Sequence, residues 1–117
     1  MANRKKIEKS AITYKGEEYE LVFNLNTMET IQDIYGSVEA WGELIQGAAE
    51  PQAKAIKQGF TAMLNEGIDI YNEENEEDRP FFTEKQVGRI ISEIGLNAAA
   101  NKLTKTVIDS TKTEEKN

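Results

Sequence analysis

The chain has 117 residues, 38% of them hydrophobic and 30% charged, so it fits one small domain with a thin core or with apolar surface that a partner completes. It contains no cysteine and no histidine, which excludes disulfides, thiolate nucleophiles, imidazole catalysis and the usual zinc sites. The net charge of −7 argues against nucleic acid as a partner, because phosphate binding requires clustered Lys and Arg.

The first ten residues are basic and lack hydrophobic periodicity, so residues 1–10 are predicted to be a flexible basic N-terminus. No apolar segment follows them, and a signal peptide is therefore not expected. No apolar run approaches the roughly 18 residues that a membrane span needs. These features predict a soluble, cytoplasmic protein with no membrane partner.

A β-hairpin is predicted next, because apolar and polar residues alternate over residues 11–14 and 18–23. The segment Lys15-Gly16-Glu17 between them supplies the glycine that a tight turn needs. A two-stranded sheet is marginal in water, so it must pack on helices or pair with another sheet. Its open edge makes homo-oligomerisation an expectation.

Helical periodicity begins after the hairpin. The first helix is predicted to begin at Asn26, with Glu29 completing a capping box, and to end at Gly36. Ser37 is predicted to cap a second, short helix that carries Trp41.

The longest helix is predicted over about residues 52–72, followed by a solvated acidic loop over residues 72–79. Thr83 and Gln86 form a second capping box, which opens a helix that closes at Gly95.

A last helix is predicted over about residues 97–110, and the polar residues 111–117 are predicted to be a disordered tail. The prediction for the fold is thus a single α+β domain over residues 11–110. It is mostly α-helical, with an N-terminal β-hairpin followed by four or five helices.

No catalytic, cofactor or metal site is predicted. A calcium loop that begins at Asp69 would place Glu74 where glycine is needed and Pro80 where a bidentate Glu is needed. The neighbouring carboxylates, such as Glu73 and Glu74, lie in loop contexts rather than in an enclosed site, so surface acids are the favoured interpretation. The chain is therefore predicted not to be an enzyme.

Aromatic residues are the candidates for binding a partner, and core packing is the competing interpretation for those on apolar helical faces. Adjacent aromatic residues at a helix start cannot both face one core, so one is expected to pack as a staple and the other to be an exposed anchor. The candidate partner-binding residues are Tyr35, Trp41, Phe60, Phe81 and Phe82.

The order of these elements resembles the tail assembly chaperones of long-tailed bacteriophages. The resemblance is carried by a strand pair, by the segment from Asn24 through Asp33 to Gly36, and by the late helix that Thr83 precedes. That late helix matches a T-x-x-x-V/I-x-x-I/L-I pattern. The resemblance spans about residues 11–111.

The resemblance implies a protein that binds and solubilises the helical tape measure protein and aids tail tube polymerisation, without catalysis and without a cofactor. Its implied partners are the tape measure protein, the tail tube protein and further copies of the chain. Its implied location is the cytoplasm of the bacterial host, with no copy in the mature virion. The alternatives are a virion structural protein, such as a tail completion or head–tail joining protein, and an acidic DNA mimic.

Overall fold

The structure is a computed structural model that describes residues 10–47 and 50–116, with side chains up to residue 111. Within these residues an antiparallel hairpin precedes five helices, which confirms the predicted α+β, mostly helical fold. The predicted flexible N-terminus, residues 1–10, lies outside the described part except for Ser10, whose carbonyl accepts a hydrogen bond from the Leu21 amide at 2.9 Å. The elements are β1 (Ala11–Tyr14), β2 (Glu17–Glu20), α1 (Leu25–Tyr35), α2 (Val38–Gln46), α3 (Ala53–Asn75), α4 (Glu84–Ile94) and α5 (Leu96–Lys116).

The hairpin turn consists of two residues, Lys15 and Gly16, with φ of 52° and 81°. Positive φ at both positions is what a type I′ turn requires, and glycine adopts it without steric cost. The second strand is shorter than predicted and ends at Glu20. It ends there because the chain leaves the hairpin for α3, where the Val22 amide donates to the Met63 carbonyl at 3.2 Å.

The cap of α1 differs from the prediction of Asn26 with Glu29. Asn24 is the cap: its Oδ1 accepts from the Thr27 amide at 3.2 Å, and the Thr27 hydroxyl accepts from the Asn24 amide at 2.7 Å. The partner in the capping box is therefore Thr27 rather than Glu29, because the cap lies two residues earlier than predicted. The predicted stop at Gly36 is confirmed, with φ of 91°.

The long helix α3 extends past the predicted end and stops at Glu76, whose φ of 53° is left-handed. The acidic residues before it are therefore helical, since Glu is a good helix former. Asn72 secures this end by exchanging two hydrogen bonds with the backbone of Arg79, at 2.9 and 3.1 Å. The capping box of Thr83 and Gln86 is confirmed for α4.

The predicted disordered tail is wrong for residues 111–116, because α5 continues through Lys116. No glycine or proline interrupts this stretch, and Lys105 pairs with Asp109 one turn later at 2.8 Å. The Thr111 hydroxyl also donates to the Val107 carbonyl within the helix at 3.0 Å. Asn117 lies outside the described residues.

Helix α3 is the centre of the fold and packs against β2, α1, α2, α4 and α5. Two of its glycines allow close approach. A Cβ on Gly59 would lie 2.3 Å from Trp41 Cζ2, and one on Gly67 would lie 2.3 Å from the Glu20 carbonyl oxygen. The largest fully buried side chains are Trp41, Phe60, Ile31, Ile45, Ile56, Met63, Leu64, Ile68, Leu103 and Val87.

Candidate partner-binding groove

A groove of about 260 Å³ lies over the polar side of α3. Its floor residues recur at helical spacing of three and four, so they form one continuous stripe about two turns long. Helix α1 forms one wall, and the segment that precedes α4 contributes the aromatic residue of the rim. The lining residues are Asn26, Thr27 and Thr30 of α1, Ala62, Asn65, Glu66 and Asp69 of α3, and Phe81.

Phe81 is the aromatic residue that this groove exposes. It is 56% exposed, whereas its neighbour Phe82 is 7% exposed. The backbone of Phe82 is held by Asn65, whose Oδ1 accepts from the Phe82 amide at 2.8 Å and whose Nδ2 donates to the Phe82 carbonyl at 3.0 Å. The Phe82 ring packs edge-on against Tyr14 and Tyr19, with centroids 5.2 and 5.0 Å away. Because one aromatic is clamped inward, the other is held on the rim, as the adjacency of the two predicts.

The groove is acidic. The Glu66 carboxylate accepts hydrogen bonds from the Nδ2 atoms of Asn24 and Asn26 at 2.8 and 3.1 Å, which ties α1 to α3 without a cation. Asp69 lies one turn further along the same floor. An apolar rim beside a negative floor suits a partner segment that carries a basic residue next to an apolar one.

Tyr35 lies at the far end of α1, outside the residues that line the groove, and it is half-buried. Its hydroxyl donates to Gln58 Oε1, so it links α1 to α3. Burial raises the pKa of Tyr35, and the negative charge of Glu84 raises this pKa further. A role for Tyr35 in binding a partner stays a prediction, since its observed contact is within the fold.

The prediction that Trp41, Phe60 and Phe82 contribute to a partner-binding surface is wrong for this fold, because all three are core residues at 7% exposure or less. The Trp41 indole also donates to the Ala55 carbonyl at 2.9 Å, so both its ring and its polar atom are satisfied inside the chain. Helical periodicity places core aromatics and partner-binding aromatics on the same apolar face. Of the five candidates, only Phe81 is both exposed and next to the groove.

Sequence reasoning missed two residues that line the groove and two exposed apolar residues of α1 outside it. Leu25, which is 74% exposed, and Ile34 lie on α1 and leave apolar surface outside the core. Asn65 and Glu66 had no recognisable signal, since each makes its contacts with residues at least 17 positions away.

The described residues also bear on metal binding and on membrane insertion. Within residues 10–47 and 50–116, no three acidic side chains come close enough together to hold a metal ion. Among the helices of that same part of the chain, none combines the length and the apolar character needed to cross a membrane.

Comparisons of the chain with protein-family models, with curated proteins and with solved structures gave no match. A function is therefore inferred from the residues of the chain and from the geometry of the groove.

Proposed function

We propose that this chain is a tail assembly chaperone that holds a helical segment of a phage tape measure protein in the groove over α3. The observation that carries the proposal is Phe81, an aromatic side chain held outward on the rim while Asn65 fixes the backbone beside it. The order of elements described above, from hairpin to the Thr83-capped helix, supports the same assignment by resemblance.

The groove suits a helical partner, because its floor is a stripe of α3 residues that are spaced about one helical turn apart. A partner helix presents anchors at positions i, i+3, i+4 and i+7, and one apolar anchor would pack on Phe81. A long helical protein aggregates through such apolar faces, so covering them keeps it dispersed. Holding of this kind is stoichiometric and requires no reaction, which agrees with a chain that has no histidine or cysteine.

The charge of the chain supports the same role. With a net charge of −7, coated complexes repel one another and remain in solution. Glu66 and Asp69 in the floor favour partner segments that carry Lys or Arg. Because the main anchor is aromatic, binding is expected to weaken only modestly as salt is raised.

The proposal includes a defined place in assembly. The chaperone acts in the cytoplasm of the bacterial host, delivers the tape measure protein to polymerising tail tube protein, and is then released. Mass spectrometry of purified virions tests this step, and we expect no peptide of the chain there. A fixed number of copies in each virion would instead identify a tail completion or head–tail joining protein.

Co-expression with the tape measure protein tests the binding surface. We expect the wild-type chain to raise the soluble fraction of the tape measure protein, and Phe81→Ala to lose most of this effect. Because Phe81 is exposed, its removal should change the free energy of unfolding by less than about 0.5 kcal/mol. Ile108→Ala is the matched control, since Ile108 is 48% exposed on α5.

Two outcomes contradict different parts of the proposal. If Phe81→Ala solubilises the tape measure protein as well as Ile108→Ala does, the groove is the wrong surface. If the wild-type chain leaves the tape measure protein insoluble, the chaperone function itself is wrong.

A further inference from the structure

The hydrogen-bond pattern of the hairpin decides which strand edge is available to another chain. Opposite residues of an antiparallel pair alternate between hydrogen-bonded and non-hydrogen-bonded positions. The Leu21 amide donates to the Ser10 carbonyl at 2.9 Å, and residues 10 and 21 continue the register in which Ala11 faces Glu20. Ile12 therefore bonds across the hairpin, whereas the backbone groups of Ala11 and Thr13 point away from it.

The outward groups of β2 are covered by the rest of the fold. The Glu18 carbonyl accepts from Arg79 Nη1 at 3.4 Å. The Glu20 carbonyl lies against the backbone of α3, where a Cβ on Gly67 would approach its oxygen to 2.3 Å. This edge has no room for a further strand.

The outward edge of β1 is different. Lys102 Nζ donates to the Ala11 carbonyl at 3.2 Å, at one end of the strand. Thr13 is exposed, and among the described residues its outward N–H and C=O receive no partner from any helix or loop. An edge of this kind is commonly protected by a charge, a proline or a bulge. Here the Lys102 ammonium covers the Ala11 carbonyl, whereas the strand sequence Ala-Ile-Thr-Tyr supplies no charge and no proline of its own to protect Thr13.

We propose that this edge pairs with the same edge of a second copy, antiparallel and with Thr13 opposite Thr13. The two threonines then exchange both of their outward hydrogen bonds, and their side chains lie beside each other on the exposed face. On the other face, Ile12 of each copy lies opposite Tyr14 of its neighbour. The product is a four-stranded sheet with the two copies of β2 outermost. This inference does not depend on the chaperone function.

The charges of the two strands favour a second copy of the chain, paired through its own β1, as the partner of this edge. Strand β2 carries Glu17, Glu18 and Glu20, whereas β1 carries no charge. Joining the β1 edges leaves the two acidic strands three strand spacings apart, about 14 Å, which exceeds the screening length of about 8 Å at physiological salt. The contact is also self-complementary, as a two-fold interface must be.

Single-cysteine variants test the register directly, because the chain has no cysteine of its own. In the proposed dimer the Thr13 Cα atoms lie about 5.5 Å apart, within the range that a disulfide spans. We expect Thr13→Cys to form covalent dimers at least tenfold faster than Glu18→Cys under the same oxidant. Glu18 faces Thr13 across the hairpin on the same side of the sheet, so it is the matched control. Equal rates for the two variants would overturn the proposal.

Hydrogen exchange and sedimentation provide the second test. The Thr13 amide should gain protection as protein concentration rises, while the average mass increases towards that of a dimer. Thr13→Pro removes an outward N–H without touching the hairpin bonds, so it should stay monomeric with an unchanged circular dichroism spectrum. Protection that is already complete at low concentration would mean that the chain covers its own edge. That result, or a Thr13→Pro variant that dimerises normally, would overturn the proposal.

Discussion

The two sides of α3 differ in how they meet their neighbours. On the buried side, Gly59 lets the Trp41 ring lie directly against the helix backbone, within a cluster of buried apolar side chains. On the polar side, Glu66 holds α1 and Asn65 holds Phe82 by side-chain hydrogen bonds, and a groove remains between them. Substitutions on the buried side should therefore change stability alone, whereas substitutions on the polar side should change stability and the accessible surface together.

The largest effect is expected from Trp41→Ala on the buried side. Removing a fully buried indole leaves a cavity, so the free energy of unfolding should fall by about 3–5 kcal/mol. Chemical denaturation followed by circular dichroism measures this. Leu44→Ala on the same helix is the control, because Leu44 is partly exposed and should change little. A loss below about 1 kcal/mol for Trp41→Ala would show that Trp41 is not a core residue.

A second substitution tests the close approach itself. Gly59→Ala places a Cβ 2.3 Å from the Trp41 ring, so overpacking should lower the free energy of unfolding by about 1–3 kcal/mol despite the better helix propensity of Ala. Gly42→Ala is the matched control: it is also in a helix, and its Cβ would meet nothing within 4 Å. It should stabilise the fold by about 0.4–1 kcal/mol. Similar changes at both glycines would refute the proposed contact.

On the polar side, Asn65→Ala removes both hydrogen bonds to the Phe82 backbone. At about 1 kcal/mol for each bond, unfolding should become easier by about 2 kcal/mol. Because the clamp also positions Phe81, solubilisation of the tape measure protein should fall further than this loss of stability explains. Asn75→Ala, which removes an exposed hydrogen bond at the end of α3, is the control. Loss of stability with undiminished solubilisation would show that the clamp does not organise the binding surface.

The smallest effect concerns pH and the link from α1 to α3. The pKa of Tyr35 is raised from its ordinary value of 10.0 by burial and then by Glu84, so the unfolded chain loses this proton first as pH increases. The contribution of Tyr35 to stability is therefore complete below pH 10 and is lost as pH rises through the folded pKa. Thermal unfolding across pH 9 to about 11.5 should show a shallower decline for Tyr35→Phe than for the wild type. Parallel declines would contradict the assignment.

Local signals in the sequence were sufficient for the stops and caps that depend on one or two neighbouring residues. Gly36 and Gly95 end their helices with positive φ, and Thr83 with Gln86 opens α4, as predicted. The sequence predicts the cap of α1 two residues late, because Asn24 and Asn26 are equally good capping residues in isolation. In the structure Asn24 is fixed by its two capping-box hydrogen bonds with Thr27, which is buried, and by the bond from its Nδ2 to Glu66 of α3.

The predicted helices α3 and α5 also stop before the observed ones do, for a related reason. Runs of Glu, Lys and Thr without periodicity resemble loops, although they lack a helix breaker. Asn72 stabilises the end of α3 by bonding the Arg79 backbone. That contact joins two parts of the chain that a local pattern does not connect.

By itself, the sequence determined the type and order of the elements, with four or five helices, the absence of thiol and imidazole chemistry, and the hairpin turn. Each of these depends on residue type, on period or on a single φ angle. Only the tertiary structure decided which aromatic residues are available. Trp41 and Phe60 entered the core while Phe81 was left on the rim, because burial depends on what lies across from a side chain. It also decided which edge of the hairpin is open, since α3 covers β2 and leaves Thr13 of β1 exposed.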